Sequence, residues 1–314
     1  MTAAERLTLS QAEIRALDRD LDRLAAESPA GWLKPGVSSP GGVAVAGHDG
    51  FLFIGDGANR WERQYRQTEP MDADWLATWA AVFAARQAEA GARGVPLVNL
   101  VIPEKQVVYP EKRWATDTPR GDQRPLRQLA RRLGPEARLV YPLGALLACR
   151  EEGPAYPRRN SHWTASGCVA VTHAVLAQAA PEVELTALRF TGERDVQPHD
   201  LTPHLFDPPP LDAVFWLVTP GEKTFDNEHM QRTGQQRGTI YVLEHAAAPD
   251  PRTVIVFGDS YSYNLGFTGA LSAVFRKVVF VWSKNVVWDL VDRQEAGLVV
   301  WQSAERFLAT TSRA

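Results

Sequence analysis

Thr253-Val-Ile-Val-Phe-Gly-Asp-Ser-Tyr-Ser-Tyr-Asn264 is the stretch on which the reading of this chain turns. Residues 253 to 257 are an uninterrupted β-branched and aromatic run, the pattern of a parallel strand buried on both faces. Gly258 breaks the run, so Asp259 and Ser260 stand at the C-terminal end of that strand, just ahead of an expected helix. Ligands of open α/β sheets bind at that edge. A serine there holds its backbone N–H near a helix N-terminus, where an oxyanion is stabilised. The alternative is a strand-to-helix turn in which Asp259 or Ser260 merely caps the helix.

Working outward, Val278–Trp282 and Leu298–Trp301 read as two further buried strands, each preceded by a helix. Upstream, Phe51–Ile54 is a short strand entering the loop Gly55-Asp56-Gly57, and Leu97–Ile102 is a buried strand stopped by Pro103. Asp72 or Asp74 caps a helix whose Trp75, Trp79 and Phe83 recur at the helical interval of four. A second helix is expected over Gln123–Leu133, a strand over Arg138–Tyr141, and a helix capped by Thr164 through Val171 and Val175. Strand alternating with helix predicts an α/β layered domain with a mostly parallel sheet. Residues 190–250 interrupt the rhythm with Pro208-Pro209-Pro210 and isolated runs at Ala213–Val218 and Thr239–Leu243, and are expected to be an insertion. Residues 1–45 are expected to be a helical N-terminal extension, with an amphipathic helix over Leu9–Ala26, and 46–314 the main domain.

The 314 residues are 45% hydrophobic and 23% charged, ordinary values for a globular protein. A net charge of -3 gives no electrostatic reason to expect nucleic acid as a partner. No apolar run approaches membrane-spanning length and no signal peptide is evident, so membrane insertion is not expected and the cytoplasm is the expected location. Cys149 and Cys168 sit among small apolar residues and are expected as free buried thiols. Two cysteines cannot make a paired Cys-x-x-Cys zinc site, and no cofactor is expected.

A serine hydroxyl needs a base to become a useful nucleophile. Of the seven histidines, His162 in Arg159-Asn160-Ser161-His162-Trp163-Thr164 is placed best, in a loop just before a helix. His173 falls inside that helix and reads as packing or surface. His199 and His204 flank Asp200, and His229 lies near Asp226; a metal site from these is conceivable, but their spacing matches no strong motif.

Gly-Asp-Ser-Tyr-Ser after a strand resembles the nucleophile block of SGNH (GDSL-type) hydrolases. The block containing His162 and Trp163 precedes the serine, an order similar to the alginate acetylation proteins AlgX and AlgJ and their relatives in bacterial polysaccharide O-acetylation. In that family an Asp-x-His-Trp motif lies upstream of Gly-(Asp/Thr)-Ser. Gly50–Gly55 resembles the family's early Trp-Leu-Phe segment. Pro103-Glu104-Lys105 with Val108-Tyr109-Pro110 resembles its Pro-x-Lys and Tyr-Pro segment, and Glu305-Arg306 its late Glu-Arg pair. Together these blocks cover residues 45 to 310 or so in consistent order.

The resemblance implies a three-layer α/β/α SGNH-hydrolase-like domain. Its implied chemistry is acyl transfer from an acetyl donor to a carbohydrate-like acceptor through Ser260, with His162 as base. A carbohydrate acetylesterase or a non-catalytic glycan-binding scaffold on the same fold are the alternatives. Partner acetylation proteins and an extracytoplasmic setting are further implications, the second at odds with the missing signal peptide. Gly258, Tyr261 and the Ser260 N–H are the expected oxyanion and substrate-binding set, with Asn59 as a second donor. One departure matters: Asn160 stands where the family has its aspartate. Asparagine can orient an imidazole but brings no charge, and Asp56 is the replacement acid expected from the sequence.

Overall fold

The computed structural model describes residues 5–27, 33–67, 71–115, 123–230, 237–263 and 266–309. β1 (Glu5–Ser10) runs into α1 (Gln11–Glu27), and a hairpin of β2 (Ala44–Ala46) and β3 (Leu52–Ile54) follows. α2 (Trp61–Arg66) and α3 (Ala73–Ala92) lead to β4 (Leu97–Ile102), α4 (Lys105–Val108), α5 (Pro125–Arg132) and β5 (Leu139–Val140). α6 (Leu143–Glu152) and α7 (Ala165–Ala179) precede β6 (Arg189–Gln197), β7 (Asp212–Val218), β8 (Glu222–Asp226) and β9 (Ile240–Glu244). The last elements are β10 (Asp250–Gly258), α8 (Phe267–Ser272), β11 (Phe275–Trp282), α9 (Trp288–Arg293) and β12 (Leu298–Ala304).

The central sheet has the order β5-β4-β12-β10-β11-β9-β8, parallel from β5 to β11 and antiparallel beyond it. β10 lies inside it, paired with β11 on one side and β12 on the other. Its side chains alternate, as the pleat requires. Val254 and Val256 enter a core shared with α7 and α8, while Ile255 and Phe257 enter a second core shared with α3, α5 and α9. Each of the four is fully buried, and such a side chain contributes roughly 1.5–3 kcal/mol. Helices on both faces of a mostly parallel sheet make the α/β/α layering that the sequence predicts.

Two helix starts bear on the site. Asp72 caps α3 by accepting the Trp75 N–H at 2.6 Å, and the α3 aromatics pack edge-on against each other and against Trp301 of β12. Thr164 caps α7, its hydroxyl accepting the Gly167 N–H at 3.1 Å. A Cβ at Gly167 would lie 2.3 Å from the Ala155 carbonyl, so only glycine lets α7 begin so close to the loop that carries His162.

β1 pairs with β6 along all six of its residues, and Ile14 of α1 is part of the main core. Leu9 and Ser10 belong to β1, and the helix begins at Gln11. β6 and β7 complete a three-stranded sheet with β1, whereas β9 and β8 extend the central one. Local alternation cannot reveal such pairings, because partners far apart in sequence define them.

Candidate active site

The turn after β10 is built around Gln302 of β12. A Cβ at Gly258 would fall 2.6 Å from Gln302 Oε1 and 2.9 Å from Ser262 Oγ, so glycine is what lets Gln302 reach across. Gln302 Oε1 accepts the Asp259 N–H at 3.1 Å, and Gln302 Nε2 donates to Asp259 Oδ1 at 2.8 Å. Asp259 also accepts the N–H groups of Tyr261 at 3.0 Å and Ala304 at 2.7 Å. Its carboxylate therefore fixes the turn. The N–H groups of Ser262 and Tyr263 close onto the Asp259 carbonyl at 3.0 and 3.1 Å. Among the described residues, the Ser260 N–H alone of these five consecutive donors makes no hydrogen bond. The helix expected directly after the serine begins only at Phe267, so a single closed turn, not a helix N-terminus, presents Ser260.

His162 arrives from the loop before α7. Lys105, 1% exposed, donates to the carbonyls of Pro157, Arg158 and Asn160 at 3.0, 2.9 and 2.7 Å. Three acceptors match the three donors of an ammonium, although burial pushes the Lys105 pKa down to about 7 against the pull of Asp200 and Asp22. The Tyr261 hydroxyl donates to the Ser161 carbonyl at 2.9 Å. Its buried ring meets the His162 ring edge-on at 4.7 Å and Trp163 at 4.9 Å. Below it, Arg306 pairs with buried Glu104 at 2.7 Å. With the ring clamped this way, His162 Nε2 lies 2.9 Å from Ser260 Oγ.

The other side of the imidazole is crowded with acceptors. Nδ1 has Asn160 Oδ1 at 3.0 Å, Ser161 Oγ at 3.2 Å and Asp200 Oδ2 at 3.3 Å. Asn160 is held in its orientation from both ends. Its Oδ1 accepts the His162 N–H at 2.9 Å, and its Nδ2 stands 3.1 Å from His199 Nδ1. Burial pushes the His199 pKa down to about 4, so the ring is neutral near pH 7 and its Nδ1 accepts. Ser161 gives Asp200 both its N–H, at 2.8 Å to Oδ1, and its hydroxyl proton, to Oδ2. Burial raises the Asp200 pKa, but the hydrogen bond and charge of His162 and the two Ser161 bonds outweigh it and hold the carboxyl well below its usual range. Its side chain is 36% exposed, with the carboxylate turned to the imidazole. Facing acceptors on this side, the neutral ring carries its proton on Nδ1 and offers the Nε2 lone pair to the serine.

Residues 44–285 match the family model described as SGNH hydrolase-like domain, acetyltransferase AlgX. The chain belongs to this family. It is similar to the probable alginate O-acetylase AlgJ of Pseudomonas aeruginosa, 27% identical over 304 residues that cover 89% of this chain and 72% of that one. The O-acetyltransferase domain of Pseudomonas putida AlgJ superposes with a TM-score of 0.58 at 18% identity, covering 86% of this chain and 93% of that one. A DHHW family protein from Eubacterium siraeum gives 0.59 at 15% identity, covering 87% and 93%. At those identities the two structures show the shared fold alone.

Not every residue expected in this AlgX-family site is brought to it. Asp56, the sequence's replacement acid, is held instead by Arg63, whose Nε donates to it at 2.8 Å; the carboxylate at the imidazole is that of Asp200. Asn59 takes a left-handed backbone with φ 60°, and its carbonyl accepts from Gln64, whose amide also donates to the Arg306 carbonyl at 3.0 Å. His199 and Asp200 do come together, but around Asn160 and His162. Among the described residues no three His, Cys, Asp or Glu side chains cluster to hold a metal ion. Cys168 is buried and Cys149 half-buried, both free, and burial pushes the Cys149 thiol up to about 12.

A groove of about 970 Å³ opens between α3 and the end of β11, with Trp75, Arg86, Arg237, Trp282 and Lys284 in its wall; neither Ser260 nor His162 lines it. Trp282 is the β11 partner of Gly258. No helix among the described residues is long and apolar enough to cross a membrane.

Proposed function

We propose that this AlgX-family chain is a serine-dependent O-acetyltransferase that moves an acetyl group to a carbohydrate hydroxyl. The observation that carries the proposal is the 2.9 Å contact between His162 Nε2 and Ser260 Oγ at the C-terminal end of β10. Ser260 Oγ attacks the donor's acetyl carbonyl as its proton passes to His162 Nε2. The tetrahedral oxyanion is met by the uncommitted Ser260 N–H, with Asn59 as second donor. Collapse expels the donor's alcohol, which takes the proton from His162 and leaves acetyl-Ser260. An acceptor hydroxyl then attacks the acyl carbonyl and gives its proton to Nε2; collapse releases the acetylated sugar and returns the proton to Ser260 Oγ.

Partition between transfer and hydrolysis tests this. With a chromogenic acetyl ester and a panel of oligosaccharides, chromophore release should rise with saccharide concentration and yield acetylated sugar by mass spectrometry. Release at a constant rate with free acetate as the only product, whatever saccharide is present, identifies a carbohydrate esterase instead.

A further inference from the structure

Resting on that reading, we propose that Asp200, on the loop between β6 and β7, supplies the negative charge behind the His162 imidazole, while Asn160 fixes the ring's orientation. Three groups face Nδ1, and Asp200 is the only one that is ionised. Asn160 is neutral and has both ends of its amide occupied, by the His162 N–H and by His199. The Ser161 hydroxyl proton is committed to Asp200, so toward Nδ1 that oxygen offers only a lone pair.

The carboxylate is held in place rather than drifting near the ring. Ser161 binds its two oxygens with one donor each. The 199–202 turn that carries it is closed by the Thr202 N–H and hydroxyl on the His199 carbonyl at 3.0 and 2.7 Å, and it buries His199, Leu201 and Thr202. Behind Asn160 and His199, Asp212 pairs with Arg159 at 2.7 Å and stands 3.8 Å from His199 Nε2. The other groups facing the imidazole are Ser260 and Tyr261 from the β10 turn and Glu104, which Arg306 already neutralises. Lys105 lies on the Asp200 side. Asp200 is thus a positioning residue: it acts through His162, holding the Nδ1 proton and stabilising the imidazolium that forms as Ser260 loses its proton.

The test is an exchange of the two side chains in the full chain, using Asp200→Asn, Asn160→Asp and the double variant, each checked for native folding by near-ultraviolet circular dichroism. Three readouts apply: kcat and KM for a chromogenic acetyl ester, the acid limb of the pH–rate profile, and the downfield proton resonance of His162 Nδ1–H. Asp200→Asn should lower kcat by about 10²- to 10⁴-fold with little change in KM. It should change the acid limb of the pH–rate profile and shift the Nδ1–H resonance upfield. Asn160→Asp in the Asp200→Asn background should recover at least about tenfold in kcat and restore the resonance. A folded Asp200→Asn protein with parental kcat, acid limb and resonance overturns the proposal, as does a double variant with no recovery in any readout. Failure of the serine reading shows separately. Ser260→Ala with parental turnover would remove the nucleophile, while the Nδ1–H resonance would still report on Asp200.

Discussion

The two sides of His162 are built in different ways. On the Nε2 side, five consecutive residues from Gly258 to Ser262 make the turn that carries Ser260, braced by Gln302 from the adjacent strand. On the Nδ1 side, the contacts come from Asp200, 39 residues after Ser161, from neighbouring His199, and from Lys105, 55 residues before Asn160. The serine side is local and tied to the rigid middle of the sheet. The histidine side is an assembly of loops whose buried polar groups satisfy one another. Networks of that kind hold a geometry firmly when complete and fail badly when one member is lost.

The comparison breaks most visibly at Lys105. Lys105→Met keeps the buried stem but leaves the carbonyls of Pro157, Arg158 and Asn160 without their shared donor. Unsatisfied buried acceptors are costly, and the expected loss is on the order of 4 kcal/mol, read by urea unfolding. A loss below about 1 kcal/mol would show that water satisfies those carbonyls and that the loop does not depend on Lys105.

Acid should weaken the same side through His199. Burial lowers its folded pKa from 6.5 to about 4, Asp200 opposing and Lys105 and Arg159 assisting. Between those values the unfolded chain binds more protons than the folded one, so stability falls as pH drops from 6.5 to 4. The full contribution is about 3 kcal/mol. Asp200, whose folded pKa is lowered, adds a loss only at still lower pH. Buried Asp18, raised to about 7, works the other way in this window, so the readout is the difference: the melting temperature of His199→Gln should fall less on acidification than the parent's, and an equal change would place the titrating group elsewhere.

The smallest effect sharpens the contrast from outside. Asp56→Ala removes a surface ion pair with Arg63, two side chains that are 38% and 50% exposed. Stability should change by no more than about 0.5 kcal/mol, and the kcat for acetyl ester should stay at the parental value. A severe loss of kcat would return the acid's role to Asp56.

This asymmetry also accounts for what the sequence disclosed. The strand Thr253–Phe257, the break at Gly258 and the serine after it follow from short-range pattern: a buried strand needs apolar residues on both faces, and its end needs a glycine where Gln302 crosses. His162 was legible for a similar reason, since Thr164 caps the helix that follows it. Asp200 was not. Its neighbour His199 drew attention as a metal ligand, and nothing local says that a turn 39 residues on from Ser161 folds back beneath the imidazole. The one sequence signal is indirect: a neutral Asn160 implies that a charge must come from somewhere, and Asp56, in its Gly-rich loop, pairs with Arg63. The pairing of β1 with β6 is illegible on the same ground, because the two strands lie far apart in the chain.

The measurement that tests the central claim most directly is covalent labelling at the junction of the two sides. A sulfonyl fluoride or fluorophosphonate should add once to the parent protein, with peptide mapping by mass spectrometry placing the adduct on Ser260. The adduct should vanish in Ser260→Ala, and its rate should fall by about 10³-fold or more in His162→Ala, where no base draws off the hydroxyl proton. An adduct that persists unchanged in Ser260→Ala, or a His162→Ala protein that labels at the parental rate, would contradict the account.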